Sequence, residues 1–166
     1  MPHAVSVGQW VEVSDGEAPP NAVEVGYDAG NIVYVARAKH EDHIIPGKFL
    51  PCYSQCYVPH DGKEHEYVEF EVLVDPDGDA YEWKEAEGSE ILPNAVQGGT
   101  TADGEPLYIG RVMHNDAMCC GKVHPSDGVL IVPYGTEEHS FSNFEYLVVK
   151  SAEESVEENV EEEVEE

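Results

Sequence analysis

The sequence repeats itself. Residues 34–48, which run from Tyr34 to Lys48, return about 74 residues later as 108–122. Tyr34, Arg37, His40, Gly47 and Lys48 are matched by Tyr108, Arg111, His114, Gly121 and Lys122 at identical internal spacing. Upstream, Trp10 and Pro20-Asn21-Ala22-Val23 are echoed by Trp83 and Pro93-Asn94-Ala95-Val96; downstream, Val58-Pro59, Glu64-His65, Phe70-Glu71 and Leu73-Val74 are echoed by Val132-Pro133, Glu138-His139, Phe144-Glu145 and Leu147-Val148. The register slips by one residue between Val23 and Tyr34, placing an insertion in the loop before the second cassette. Whatever structure one copy adopts, the other must adopt too. Each copy is small for an independent core, so the two are expected to share one. The repeats span about residues 8–75 and 81–149, within a single domain over 1–150.

The local pattern is that of strands. Val11–Val13 opens one after Trp10, and Val23 and Val25 alternate with polar residues up to Gly26. Residues 32–37 are rich in β-branched and aromatic side chains and form the clearest strand. His40 to Lys48 reads as a loop ending in Pro46-Gly47, followed by a short strand from Lys48, another at Cys56–Val58, and a turn at Pro59–Gly62. From Glu64 to Val74 the alternation of Tyr67, Glu69 and Glu71 with Val68, Phe70 and Val72 predicts one long half-buried strand. Asp75-Pro76-Asp77-Gly78-Asp79 has the spaced aspartates of a calcium loop, but an EF-hand would need Gly at Ala80 and Glu at Ala86, so it reads as a turn. No segment before residue 150 has a helical period. The fold class is all-β: two tandem pseudo-symmetric repeats of short antiparallel strands sharing one intertwined core. Residues 151–166 form an acidic, low-complexity tail that is expected to be disordered.

A net charge of -27 argues against nucleic acid or an anionic membrane surface as partner. No apolar run approaches the roughly 20 residues of a membrane span, so no insertion is expected. Met1-Pro2-His3-Ala4-Val5 lacks the basic and apolar regions of a secretory signal. The expected location is the cytoplasm, or the outside by a route without a signal peptide, and the four cysteines are expected as thiols.

Duplication multiplies contact surfaces more naturally than it builds an asymmetric catalytic centre. No nucleophile motif such as Gly-x-Ser-x-Gly is present and no acid pair stands out, so no catalytic residue is assigned. Asp28 precedes the main strand and Lys48 follows the cassette loop, so a reversing chain could bring them together. An acid and an ammonium can share sugar hydroxyls, and Tyr27 or Tyr53 could supply a face for the ring. On spacing alone, Asp28 and Lys48 read first as solvated surface charges. His65 and His139 read as partners of backbone groups, while His40 and His114 read as either contacts or loop staples. The run His40-Glu41-Asp42-His43 has no zinc spacing rule, so no metal or other cofactor is assigned. Cys52 and Cys56 read as small buried residues, and Cys119-Cys120 as a loop pair of open reactivity.

The doubled skeleton Trp…Pro-Asn-Ala-Val…Tyr-(Val/Ile)-(Ala/Gly)-Arg…His…Gly-Lys…Val-Pro…Glu-His…Phe-Glu…Leu resembles the DM-nine repeat family over residues 8–149. That family includes mannose-binding invertebrate lectins and the lectin-like part of natterin-type proteins. The resemblance implies a lectin, commonly a homodimer, recognising mannose-type glycans in innate defence. Microbial surface polysaccharide would be one source. It places the sugar-contacting acid and lysine on Asp28 and Lys48; the residues themselves offer His40, Glu41 and Tyr27 as further candidate contacts. With recognition by Lys48 and Asp28 no metal is needed, and no enzymatic activity is expected. In the second copy Lys122 keeps the lysine, but the acid position falls on Thr101, leaving Asp103 as the nearest substitute. The alternative from another class is a protein-interaction adaptor that recruits through the acidic tail.

Overall fold

The computed structural model describes residues 9–87 and 90–150; the expectation for the tail lies outside them. The first repeat forms β1 (Gln9–Val13), β2 (Glu24–Asp28), β3 (Asn31–His40), β4 (His43–Leu50), β5 (Gln55–His60), β6 (Lys63–Tyr67) and β7 (Phe70–Val74). The second forms β8 (Tyr81–Glu87), β9 (Gln97–Thr100), β10 (Pro106–His114), β11 (Ala117–His124), β12 (Val129–Tyr134), β13 (Glu137–Phe141) and β14 (Asn143–Val149). Each strand of the second set repeats its counterpart in the first. The only helical turn among the described residues is a 3-10 turn at Pro51–Tyr53.

Pairing explains why two copies are needed. Within each repeat consecutive strands pair from β2 to β6 and from β9 to β13, and the last strand returns to pair with the first and third. But β2 also pairs with β11 through Asp28 and Ala117, and β9 pairs with β4 through Thr100 and Ile44. β6 meets β13 at Lys63 and Glu137. Following the ladders from β3 through β4, β5, β6, β13, β12, β11 and β2 returns to β3, so the sheet closes as a barrel. Closure removes most free strand edges, leaving β1 and β8 at the ends of the sheet.

The core follows the same logic. One buried cluster belongs to the first repeat, around Phe49, Val58 and Val72, and one to the second, around Leu130, Val132 and Tyr146. A third mixes both copies, packing Val25, Val35 and Leu73 against Ile109, Cys120 and Leu147. Each such aliphatic side chain contributes about 1.5–3 kcal/mol on full burial. The expectation of a shared core holds.

The repeated Trp, Arg and Glu are the staples. Arg37 lies 4.1 Å over the Trp10 ring, donates to Glu71 Oε1 at 2.7 Å, and donates to the Gly98 carbonyl of the other repeat at 3.2 Å. Arg111 repeats the pattern with Trp83 at 4.5 Å, Glu145 at 2.6 Å and the Val25 carbonyl at 2.8 Å. A planar guanidinium can stack, pair and donate at once, which an ammonium cannot. These residues recur because they lock each copy onto the other.

Several local expectations need correction. Residues 40–48 are not a loop: the chain turns only at Glu41 and Asp42, and His40 pairs with His43 across the hairpin. The turn after β5 is confined to Asp61-Gly62, since Pro59 and His60 remain in the strand. The long strand over 64–74 is broken at Val68-Glu69, and Val68 is 59 % exposed. Cys119 and Cys120 lie buried in β11 and Cys52 is exposed, the reverse of the expected placement. Asp75 does form a turn, accepting from the backbone N–H groups of Gly78 and Ala80 at 3.2 and 3.1 Å.

Candidate functional site

β4 carries Lys48 into the barrel wall beside a glycine that has no room for a side chain. A Cβ at Gly47 would stand 2.1 Å from the Tyr57 carbonyl oxygen, and at Gly121 2.0 Å from that of Ile131. Glycine lets β5 and β12 close tightly on β4 and β11, and the lysine that follows is held where the two strands meet. Lys48 is only 4 % exposed and Lys122 9 %. The reading of Lys48 as a solvated charge is therefore wrong. Its spacing carried no sign of burial, because the tight approach is made by the backbone.

Lys48 lines a cleft of about 180 Å³ together with Asp28 at the end of β2, Tyr53 and Tyr57, Glu64 of β6, and Tyr134-Gly135 from the second repeat. Asp28 and Lys48 are thus brought together, as the reversing chain suggested. The Lys48 ammonium sits 5.2 Å from the Tyr134 ring centroid, within cation–π range, and 3.9 Å from Cys119 Sγ. Burial raises the Glu64 carboxyl above its ordinary value, while Lys48 and a 3.3 Å hydrogen bond from the Thr136 N–H oppose the rise. Burial, with Glu66 second, pushes the Tyr57 phenol up to about 12, and its hydroxyl donates to Gln55 Oε1 at 3.0 Å. Burial also raises the Cys119 thiol, against the pull of Lys48. A buried thiol of this kind is inert.

The cleft therefore offers an ammonium donor, two carboxylate acceptors and three aromatic faces, contributed by both repeats. A polyhydroxylated ring has matching parts: hydroxyls that donate and accept, and apolar C–H faces. At about 180 Å³ the cleft is smaller than a typical drug-sized pocket of roughly 300–1,000 Å³ and suits one small ring. A larger hollow of about 570 Å³ lies between β8, β10 and β14, but its walls hold Glu85, Glu87, Glu90 and Glu145, and its Arg111 is bound to Glu145.

Other expected contacts fall elsewhere. Tyr53, not Tyr27, lines the cleft, and Tyr27 is 56 % exposed. His40 and Glu41 stand at the β3–β4 turn, where His40 packs on His60 and His65. In the second copy Thr101 Oγ1 accepts from the Glu105 N–H at 3.0 Å, and Glu105 in turn accepts from Ser126 N and Oγ at 2.9 and 2.6 Å. Asp103 lies exposed in that anchored loop, while the charges acting on Lys122 come from Glu138, Asp127 and Asp61. Burial comes first among the influences on Lys122 and lowers it from its ordinary value. His65 and His139 each donate from Nε2 to a backbone carbonyl, of His60 at 3.0 Å and Tyr134 at 3.1 Å. Glu64 and Tyr134 were not singled out from the sequence. Tyr134 was detectable as the counterpart of His60, one of the points at which the copies differ in chemistry.

Barrel and cleft define a class: duplicated β-proteins whose copies interlock and whose polar cleft is assembled from both. The chain belongs to the DM9 repeat family, whose model matches residues 28–141. Among solved structures it is similar to the nematode sperm cell motility protein MFP2B, with a TM-score of 0.60 and 13 % identity over 86 % of this chain. The chain spans 44 % of that protein's length, and the likeness is one of fold. No curated protein matches the sequence. Among the described residues no helix is long and apolar enough to cross a membrane.

Proposed function

We propose that the chain is a non-enzymatic carbohydrate-binding protein that takes a mannose-type ring in the Asp28–Lys48 cleft without a metal. The observation that carries this reading is the burial of Lys48 beside Asp28, Glu64 and the Tyr134 ring. Burying an ammonium has a substantial desolvation cost, and a ligand rich in acceptor oxygens would offset it. Asp28 and Glu64 accept from hydroxyls, Lys48 donates, and Tyr53 or Tyr57 covers the ring. The second copy keeps Lys122 but not the acid, so one ring per chain is expected. Hydroxyls exchange water for protein partners at little net gain, so single-site affinity is weak and dimerisation would supply avidity. Recognition of foreign glycans in innate defence is the role this reading fits.

The test is calorimetric titration with mannose in excess chelator. Binding near one ring per chain, lost in Asp28→Ala and Lys48→Met and kept in Lys122→Met, is the expected result. Absence of heat in the wild type, with a negative glycan-array screen, would overturn the reading and favour the tail-recruiting adaptor.

A further inference from the structure

The duplicated frame carries a different chemistry around His60. His60 stands where the second repeat has Tyr134, and its ring lies 4.7 Å from that of His40, across the mouth of the β3–β4 hairpin. Glu41, at the turn, adds a carboxylate. One ligand atom from each of His40, Glu41 and His60 lies within 4.8 Å of the others.

Hydrogen bonds decide which nitrogens are free. His65 Nε2 lies 3.0 Å from the His60 carbonyl, which can only accept, so that nitrogen carries a proton. His43 Nδ1 accepts from the Ala102 N–H at 3.0 Å, so its proton resides on Nε2, and it packs 4.7 Å from the His60 ring as a neighbour. His40 Nδ1 is bonded to the Tyr67 hydroxyl, which leaves Nε2 available and fixes the ring's orientation. His60 has no hydrogen bond on either ring nitrogen among the described residues.

We propose that His40, Glu41 and His60 form a zinc site with an open fourth position. Two imidazoles and one carboxylate are the donor set of three-ligand zinc centres, at roughly 2.0–2.2 Å from the metal. Closing on zinc requires the three ligand atoms to draw in. Glu41 is exposed at the tip of a turn and can do so by side-chain rotation. Burial first, then His65, holds His40 below its ordinary value; burial, then Lys122 and His40, does the same for His60. Both shifts favour the neutral imidazole that ligation requires. The second repeat is a built-in control: it keeps His114 but has Asn115 and Tyr134 in place of Glu41 and His60. The site is independent of the sugar reading.

The test is Zn²⁺ titration of the full chain against a chromophoric chelator, with Co²⁺ absorption reporting the ligand geometry. One tight equivalent is expected. His40→Ala and His60→Tyr should each lose more than about 100-fold in affinity, beyond the roughly 10–100-fold of an outer partner, and Tyr67→Phe about tenfold. His114→Ala should bind as wild type. Thermal melts in chelator establish that the variants fold, and Glu41→Gln serves if either histidine variant does not. Equal binding by wild type, His40→Ala, His60→Tyr and Glu41→Gln would place the metal on other acidic groups and overturn the proposal, as would no binding at all.

Discussion

A methyl group at Gly47 would meet the Tyr57 carbonyl oxygen at 2.1 Å, closer than any relaxed contact. β5 would have to move, and Lys48 with it, because Lys48 pairs with Tyr57 across that ladder. Gly47→Ala should cost about 1–3 kcal/mol, in the range of other overpacked sites. It should also weaken mannose binding. Gly121→Ala meets the Ile131 carbonyl at 2.0 Å and should cost as much in urea denaturation. Because β12 also carries Tyr134 into the cleft, it should weaken mannose binding too, but less than Gly47→Ala, which displaces the partner strand of Lys48 itself. Full mannose affinity in a destabilised Gly47→Ala chain would argue against the Lys48 cleft as the site. Glu64 gives a pH test at the same scale. Its carboxyl is raised by burial, so the folded chain takes up this proton at a higher pH than the unfolded chain does. Between the two values the folded state holds more protons and its stability falls as pH rises; below both, this contribution is constant. For binding, protonation removes an acceptor beside Lys48. Mannose affinity should therefore begin to fall above pH ~4.3, the ordinary glutamate value, as acid is added. Glu64→Gln should bind more weakly at neutral pH and lack that step, which calorimetry across the range would reveal.

The β3–β4 hairpin shows what the sequence reveals about an element and what it hides. The body of β3 was legible over 32–37 from its β-branched and aromatic residues, but β4 before Lys48 was read as a loop because Pro46 and Gly47 dominate its middle. In the barrel Gly47 is a point of backbone contact and Pro46 pairs opposite Arg37, so the usual turn formers serve close packing instead. The cleft was half legible: duplication drew attention to Lys48 and its place before the main strand to Asp28, while Tyr134 arrives through inter-repeat pairing that no local pattern encodes. The two-residue turn carries strain on one side only. In the second repeat Asn115 and Asp116 take φ of 52° and 65°, whereas in the first Glu41 takes 56°. Left-handed backbone costs roughly 1–2 kcal/mol for most residues and less for Asn. Glu41→Asn should therefore stabilise the chain by about 1 kcal/mol in chelator, measured by chemical denaturation, and weaken Zn²⁺ binding in the same protein. A variant that stabilised the chain and kept full zinc affinity would remove Glu41 from the ligand set.

At the scale of the whole molecule, neither repeat is a folding unit. β2 completes its hydrogen bonding on β11 and β9 on β4, both arginines donate across the repeat boundary, and the mixed cluster around Leu73 and Ile109 has no equivalent within one copy. Unfolding should be a single cooperative transition, because opening one repeat strips the other of strand partners and core alike. A chain ending at residue 79 should be unfolded as a monomer at micromolar concentration. At higher concentration it has one route to structure, in which two copies of the first repeat take each other's missing places and close a barrel with exact rather than approximate two-fold symmetry. Such a dimer would carry two histidine clusters and would lack Tyr134 from both clefts, since His60 would stand in each. Circular dichroism and sedimentation across concentration separate the cases: signal that grows with dimer fraction supports interlocking, whereas a folded monomer of residues 1–79 would show that each repeat holds its own core.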